Sequence, residues 1–417
     1  MLYDWLEAQR ALLRSIDTWA NLASNAWGSN ASKDPMLPPG CDWLRRIFQS
    51  TPEPPPFDIP FVTIDAEQVA VEESVVEQAP FCALRRFARV SAPQSPSCAA
   101  GTGILLCTPL AGHHAVMLRE TVQTLLADAD VYVTDWANAR DVPCAAGTFG
   151  LDEYVMTIER FIRRLASDGL HVVAVCQATV PSLAAAALVA DAGGAAPASL
   201  TLMGGPIDTR LSPTLLDRLA VSHRIEWFRD TVIDTVPAGY AGVGRRIYPG
   251  HLQHAAIVAA HPHRQFALEA RHWKSRVAGD DAERDASQRA LNEYSAVLDM
   301  DETYFLDTLR VIFQEQRLAR GTWLVAGRRV QPQVLTETAL CTVEGDHDDI
   351  TGAGQTHAAH ALCSGIPDAL RTRMTVAQCD HYDLFTGPRW REQIHPALGR
   401  FWRALAERRS QVANTNT

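Results

Sequence analysis

Apolar positions in the middle of this chain alternate between two rhythms. Ile104–Thr108, Val131–Thr134, Val172–Val175 and Leu200–Met203 are short apolar runs of strand length. Between them, Ala115–Leu126, Leu151–Leu165 and the small-residue run Ser182–Ala190 read as helices. A strand that is apolar on both sides must be buried on both sides. The alternation therefore predicts a parallel sheet with helices on both faces. The alternation stops near residue 211. Residues 211–320 read as mostly helical, aromatic-rich and irregular. Strands resume at Ala339–Val343 and Met374–Ala377, before a closing helix over about 388–405.

Ahead of this pattern, Leu2, Trp5, Leu6, Leu12, Leu13, Ile16 and Trp19 fall largely on one side of a helix expected over 2–27. Residues 30–60 are rich in Pro, Ser and Asp and read as an extended tether, and 92–102 read as a second loop. The chain shows no internal repeat. The organisation predicted is an N-terminal helical extension and tether over 1–85, a first core half over 86–210, a cap insertion over 211–335 and a second core half over 336–410.

Composition narrows the function classes. Hydrophobic residues make up 47% and charged residues 21% of the 417, which is ordinary globular usage with enough apolar mass for a sizeable core. The net charge is −10 and no basic cluster stands out, which argues against nucleic acid as a partner. Nine cysteines without a Cys-x-x-Cys pair read as reduced thiols, not a disulfide framework. His261-Pro-His263 is too short a cluster for a metal site, so no metal and no cofactor are expected. The acidic start, Met1-Leu-Tyr-Asp, and the lack of a long apolar run suit neither a signal peptide nor a transmembrane segment. The expected location is the cytosol or a cytosolic surface.

The candidate chemistry centres on Cys176. The run Val172-Val-Ala-Val-Cys-Gln-Ala178 leads from a strand through a turn into a helix, the setting of a nucleophile elbow. The usual Gly-x-Ser-x-Gly stands here as Ala174-Val-Cys-Gln-Ala178. Sulfur takes the nucleophile position, and alanines meet the demand for small neighbours. Such a nucleophile needs a base and an orienting acid, which in this layout follow in the order nucleophile, acid, histidine. Both places are filled. Glu344-Gly-Asp-His-Asp-Asp-Ile350 follows one late strand and Gln378-Cys-Asp-His-Tyr382 the last. His381 is the expected base and Asp348 the expected acid, with Asp346 and Asp349 as rivals. The predicted fold is thus an α/β-hydrolase fold: a mostly parallel sheet with helices on both faces, a helical cap insertion and an N-terminal helical extension.

The oxyanion of a tetrahedral intermediate needs two donors. The backbone N–H of Gln177 is one candidate. Leu110 or Ala111, on the loop Pro109-Leu-Ala-Gly-His-His114, supplies the other. His113 is a loop residue within reach of substrate, as is Trp136, which reads either as the site floor or as a structural core residue. Trp227, Phe228 and Trp273 are the aromatic residues that would give the cap an apolar entrance.

At this point the chain resembles the intracellular poly(3-hydroxybutyrate) depolymerases, a polyhydroxyalkanoate-degrading group related to the polyhydroxyalkanoate synthases. The resemblance runs from about residue 80 to 405. Its matching runs are Pro109-Leu-Ala-Gly-His113, Val131-Tyr-Val-Thr-Asp-Trp-Ala-Asn-Ala-Arg-Asp-Val-Pro143 and Val173-Ala-Val-Cys-Gln-Ala178. They continue in Leu200-Thr-Leu-Met-Gly-Gly-Pro-Ile-Asp-Thr-Arg210, Val343-Glu-Gly-Asp-His-Asp-Asp-Ile350 and the segment from His381-Tyr to Trp390-Arg-Glu392. The resemblance implies a Cys176–Asp348–His381 triad and a polyester substrate, the amorphous storage granule, cleaved to 3-hydroxybutyrate oligomers and monomer. It also implies a granule surface as partner. The helix over 2–27 reads as a granule anchor, or as a face packed on the core or on a second copy in a homodimer. The sequence departs from the family pattern at Asp383, where a glycine is expected, so Asp383 is expected to perturb His381.

Overall fold

The computed structural model describes residues 54–90, 103–166, 169–260 and 262–415. The helix expected over 2–27, most of the tether and the loop over 92–102 lie outside the described residues.

One sheet organises the described chain. Its strands are β1 (Phe61–Ile64), β2 (Glu67–Gln78), β3 (Cys82–Arg89), β4 (Gly103–Cys107), β5 (Asp130–Trp136), β6 (His171–Val175), β7 (Ser199–Met203), β8 (Ala339–Gly345) and β9 (Arg371–Val376). Their spatial order is β1-β2-β3-β5-β4-β6-β7-β8-β9. Strands β4 to β9 pair in parallel, whereas β1, β2 and β3 pair antiparallel and join the sheet through β5. β4, β6, β7 and β8 are buried at every residue, which is why they read as continuous apolar runs.

Helices cover both faces. α1 (Arg119–Leu125) packs on one face, with the buried residues Leu398 and Trp402 of the long C-terminal helix. α2 (Leu151–Leu165) and α3 (Thr179–Asp191) pack on the other. α2 turns Leu151, Tyr154, Val155, Ile158, Phe161 and Ile162 to the sheet and keeps Arg163 and Arg164 outward. α3 is buried on all sides, so its small residues allow sheet and neighbours to close on it.

The predicted boundaries need one correction. Residues 61–85, expected within a helical extension and tether, lie mostly in β1, β2 and β3. β2, Glu-Gln-Val-Ala-Val-Glu-Glu-Ser-Val-Val-Glu-Gln, sits near the sheet edge and stays largely exposed. Its glutamates hide the strand alternation that an interior strand would show. Partners supplied by the fold hold this edge: Arg85 bonds Asp135 (2.5 Å) and Glu73 (3.0 Å), and Arg86 bonds Asp130 (2.7 Å).

Between β7 and β8 the chain leaves the sheet for the insertion. Its helices are α4 (Leu215–Ser222), α5 (Ile225–Val232), α6 (Gly250–Ala260), α7 (Pro262–Ala278), α8 (Asp281–Ser295) and α9 (Glu302–Asp307). A small antiparallel sheet of Asp234–Thr235, Arg246–Tyr248 and Met300–Asp301, absent from the sequence reading, stitches it together. The closing helix α10 (His395–Thr415) follows β9. β5 and β6 lie on opposite sides of β4, so the loops after β4 and β6 diverge and open a crevice at the carboxyl ends of the strands.

Candidate active site

Cys176 stands at that crevice, directly after β6. Its φ is +53°, in the left-handed region that costs a non-glycine residue roughly 1–2 kcal/mol. The strained turn runs through 176–178 into α3 and lifts the half-buried sulfur off the strand axis. Close packing leaves room for nothing larger nearby. A Cβ on Gly205 would lie 1.8 Å from Thr179 Oγ1, one helical residue past the elbow.

The acid and histidine loops converge on the same crevice. Asp348 follows β8 and His381 follows β9, and His381 Nδ1 donates to Asp348 Oδ2 at 2.8 Å. The other oxygen, Asp348 Oδ1, accepts from the N–H groups of Ile350 (3.0 Å) and Thr351 (2.8 Å). Both side chains are almost wholly buried, at 2% and 4% exposed. The rival acids take other positions on the same loop. Asp346 accepts from Cys379 N–H, and Asp349 faces a cavity. Gly204, at φ +56°, ends β7 beside His381, where a Cβ would come within 3.2 Å of the ring.

Electrostatics favour a charged imidazole. Burial pushes His381 down, but the Asp348 carboxylate, the Cys176 sulfur and hydrogen bonds to both outweigh it. The net shift is well above the ordinary value. With Nδ1 committed to Asp348, Nε2 is the ring nitrogen left for Cys176. Asp383, expected to perturb this histidine, turns to the cavity. Its own carboxyl is pushed up by burial and by Asp380.

The loop after β4 is tied down almost atom by atom. Thr108 C=O accepts from Trp136 Nε1 (2.9 Å) and Tyr154 Oη (2.6 Å). Gly112 C=O accepts from Leu298 N–H (3.1 Å), and His114 N–H donates to Ala296 C=O (3.0 Å). Ala111 N–H donates to the side-chain oxygen Gln177 Oε1 at 2.9 Å. Of the two expected loop donors, Ala111 is therefore occupied, while Leu110 N–H has no partner among the described residues.

Two further expectations need correction. Trp136 is only 2% exposed and stacks on Tyr154 at 4.1 Å, so it is a core residue that supports the loop from below. Trp227 stacks on His223 at 3.9 Å and against Phe228, and it is not part of the cavity wall. The amphipathic turn of α5 sends Phe228 inward and Trp227 outward. His113 is buried beside the site, with Nε2 3.3 Å from Tyr382 Oη. Burial, with His254 and Arg264 nearby, lowers its pKa to about 3, so it is neutral.

A cavity of about 300 Å³ opens against His381. His347, Asp349, Tyr382, Asp383 and Arg264 contribute to its wall, so it is polar where an apolar entrance was expected. The Arg264 guanidinium lies 4.0 Å over the Tyr382 ring. Sequence reading missed Arg264, Tyr382 and Tyr304. Tyr382 carried a signal, as the neighbour of His381, but the other two are far from the motifs along the chain.

Comparison with known proteins gives one family match and several distant structural likenesses. Residues 204–406 match the family model described as "PHB de-polymerase C-terminus". No curated protein sequence matches the chain. Among solved structures, the chain is similar to a carboxylesterase of the thaumarchaeon Nitrososphaera gargenis (8% identity, 84% of this chain and 99% of that one, TM-score 0.42). It is also similar to a putative aryl esterase of Burkholderia cenocepacia (12%, 81% and 100%, 0.44) and to a monoacylglycerol lipase of Paleococcus ferrophilus (13%, 73% and 94%, 0.44). With a parallel sheet, an elbow after β6 and acid and histidine loops after β8 and β9, this is an α/β-hydrolase fold, and its residues 204–406 match the family model of the PHB depolymerase C-terminus.

Proposed function

We propose that the chain hydrolyses the ester bonds of amorphous poly(3-hydroxybutyrate) through an acyl-enzyme on Cys176. The observation that carries this reading is the 2.8 Å bond from His381 Nδ1 to Asp348, at the crevice where Cys176 follows β6. The family match over 204–406 supports the polyester as substrate.

In this reading the thiol proton already rests on His381 Nε2, and the Cys176 thiolate attacks the ester carbonyl carbon beside the imidazolium. Asp348 holds the ring in the required tautomer and stabilises the imidazolium. The N–H groups of Gln177 and Leu110 receive the oxyanion. Collapse breaks the C–O bond, and His381 returns the proton to the leaving 3-hydroxyl. Water, deprotonated by His381, then attacks the thioester carbonyl and releases the carboxylate and the thiol. The polar cavity against His381 suits the entry of that water.

Attachment to the granule falls in this reading to the insertion. Leu215, Leu216 and Leu219 of α4 and Trp227 of α5 are exposed apolar residues. Thr214, the N-cap of α4, donates to Ile350 C=O two residues from Asp348. That bond places the apolar face beside the acid loop.

The test is release of 3-hydroxybutyrate from native amorphous granules, with and without coenzyme A. Wild type is expected to release the free acid and oligomers, and Cys176→Ala to release none. Release by Cys176→Ala at the wild-type rate would sink the nucleophile. Appearance of 3-hydroxybutyryl-CoA, only when coenzyme A is supplied, would replace hydrolysis with thiolysis.

A further inference from the structure

The side chain of Gln177 joins three parts of the molecule that are far apart in sequence. Its backbone belongs to the elbow, one residue after Cys176. Its Oε1 accepts from Ala111 N–H on the loop after β4 (2.9 Å) and from Tyr304 Oη on α9 of the insertion (2.8 Å). Tyr304 is fully buried and stacks on Tyr154 at 5.4 Å.

We propose that Tyr304 is a positioning residue for the oxyanion site, acting through Gln177. A carbonyl oxygen has two lone pairs, and here both are engaged, one by the loop and one by the insertion. That fixes the separation between the loop and the elbow. It also consumes Ala111 N–H and so leaves Leu110 N–H as the loop donor that can converge with Gln177 N–H on a developing negative charge. Removal of the Tyr304 hydroxyl frees the Gln177 amide to rotate. Ala111 N–H then loses its anchor, and the loop is held from below by Trp136 and Tyr154 and from the side by residues 296–298, but no longer tied to the elbow. Through this contact the insertion, usually thought of as a cover, sets the geometry of the catalytic loop. The inference rests on the ester-hydrolysis reading above.

Tyr304→Phe keeps the aromatic stack and removes only the hydroxyl. With p-nitrophenyl butyrate, kcat is expected to fall roughly tenfold to a hundredfold, a part of the loss seen when an oxyanion donor is deleted outright. KM should stay within about twofold, because ground-state binding is untouched. A trifluoromethyl ketone, which forms a tetrahedral adduct with the thiol, should bind more weakly by the same factor as kcat falls. Alkylation of Cys176 by iodoacetamide creates no oxyanion and should keep its wild-type rate. Gln177→Met should reproduce the defect, and the double variant should be no worse than either single one, since both remove the same contact.

An unchanged kcat in Tyr304→Phe would overturn the proposal. So would alkylation that slows in step with kcat, or a double variant whose loss is the product of the two single losses. Failure of the underlying reading looks different: wild-type turnover of the same ester by Cys176→Ala, whatever Tyr304→Phe does.

Discussion

Single residues carry the chemistry, and the sharpest expectations concern their charge. Asp348→Asn keeps the shape of the acid but removes the carboxylate that raises His381. kcat/KM for a soluble ester should fall roughly a thousandfold or more, as when a triad acid is neutralised. A loss below tenfold would point to one of the rival aspartates. His113 gives a prediction about stability. Its folded pKa of about 3 lies below the ordinary value, so between those two values the unfolded chain takes up a proton that the folded chain does not. Stability from this group is present at pH 8 and is lost as pH falls, by roughly 2 kcal/mol at pH 5. Urea midpoints at the two pH values measure it, and His113→Asn should remove that share of the acid sensitivity. Cys176, Asp348 and His381 were legible as candidates because each lies at or within a few residues of the end of an expected strand, in the expected order. The choice between Leu110 and Ala111 was not legible, since it depends on where the Gln177 side chain points.

Elements position those residues, and the contacts that do so run across long stretches of chain. Arg245, in the insertion, is buried and donates to Val142, Pro143 and Gly147 carbonyls and to Asp301 Oδ2 at 2.7 Å. One guanidinium thus fastens the loop after β5 to the strand that leads into α9, and hence to Tyr304. Both partners of the pair are only 4% exposed. Asp301→Asn should therefore leave a buried cation uncompensated and cost about 3–5 kcal/mol, read by chemical denaturation. A loss under 1 kcal/mol would mean that the three carbonyls suffice. Elements buried on both faces were legible, and the helix over Leu151–Leu165 lies where its period placed it. β1, β2 and β3 were not. A strand near an edge, exposed on most residues and rich in glutamate, has no apolar alternation to read, and its identity comes from the strand beside it.

At the scale of the whole molecule, the proposed function assigns attachment to an insoluble polyester to the exposed apolar residues of the insertion. Leu215→Ser combined with Leu219→Ser should reduce adsorption to amorphous granules severalfold in a sedimentation assay. Turnover of a soluble ester should be unchanged, because neither side chain touches the site. Equal adsorption of variant and wild type would assign attachment to another surface. By itself the sequence determined the parallel sheet, the interrupted core and the three residues at its strand ends, because burial on both faces and the order of loops are written locally in the pattern of apolar runs. Only the tertiary structure decided that the cavity beside His381 is polar, that Trp136 is a support and that the insertion reaches Gln177 through Tyr304. Those outcomes depend on which side chains meet across the sheet and on which hydrogen-bonding groups remain unspent, and neither is encoded in any one stretch of the chain.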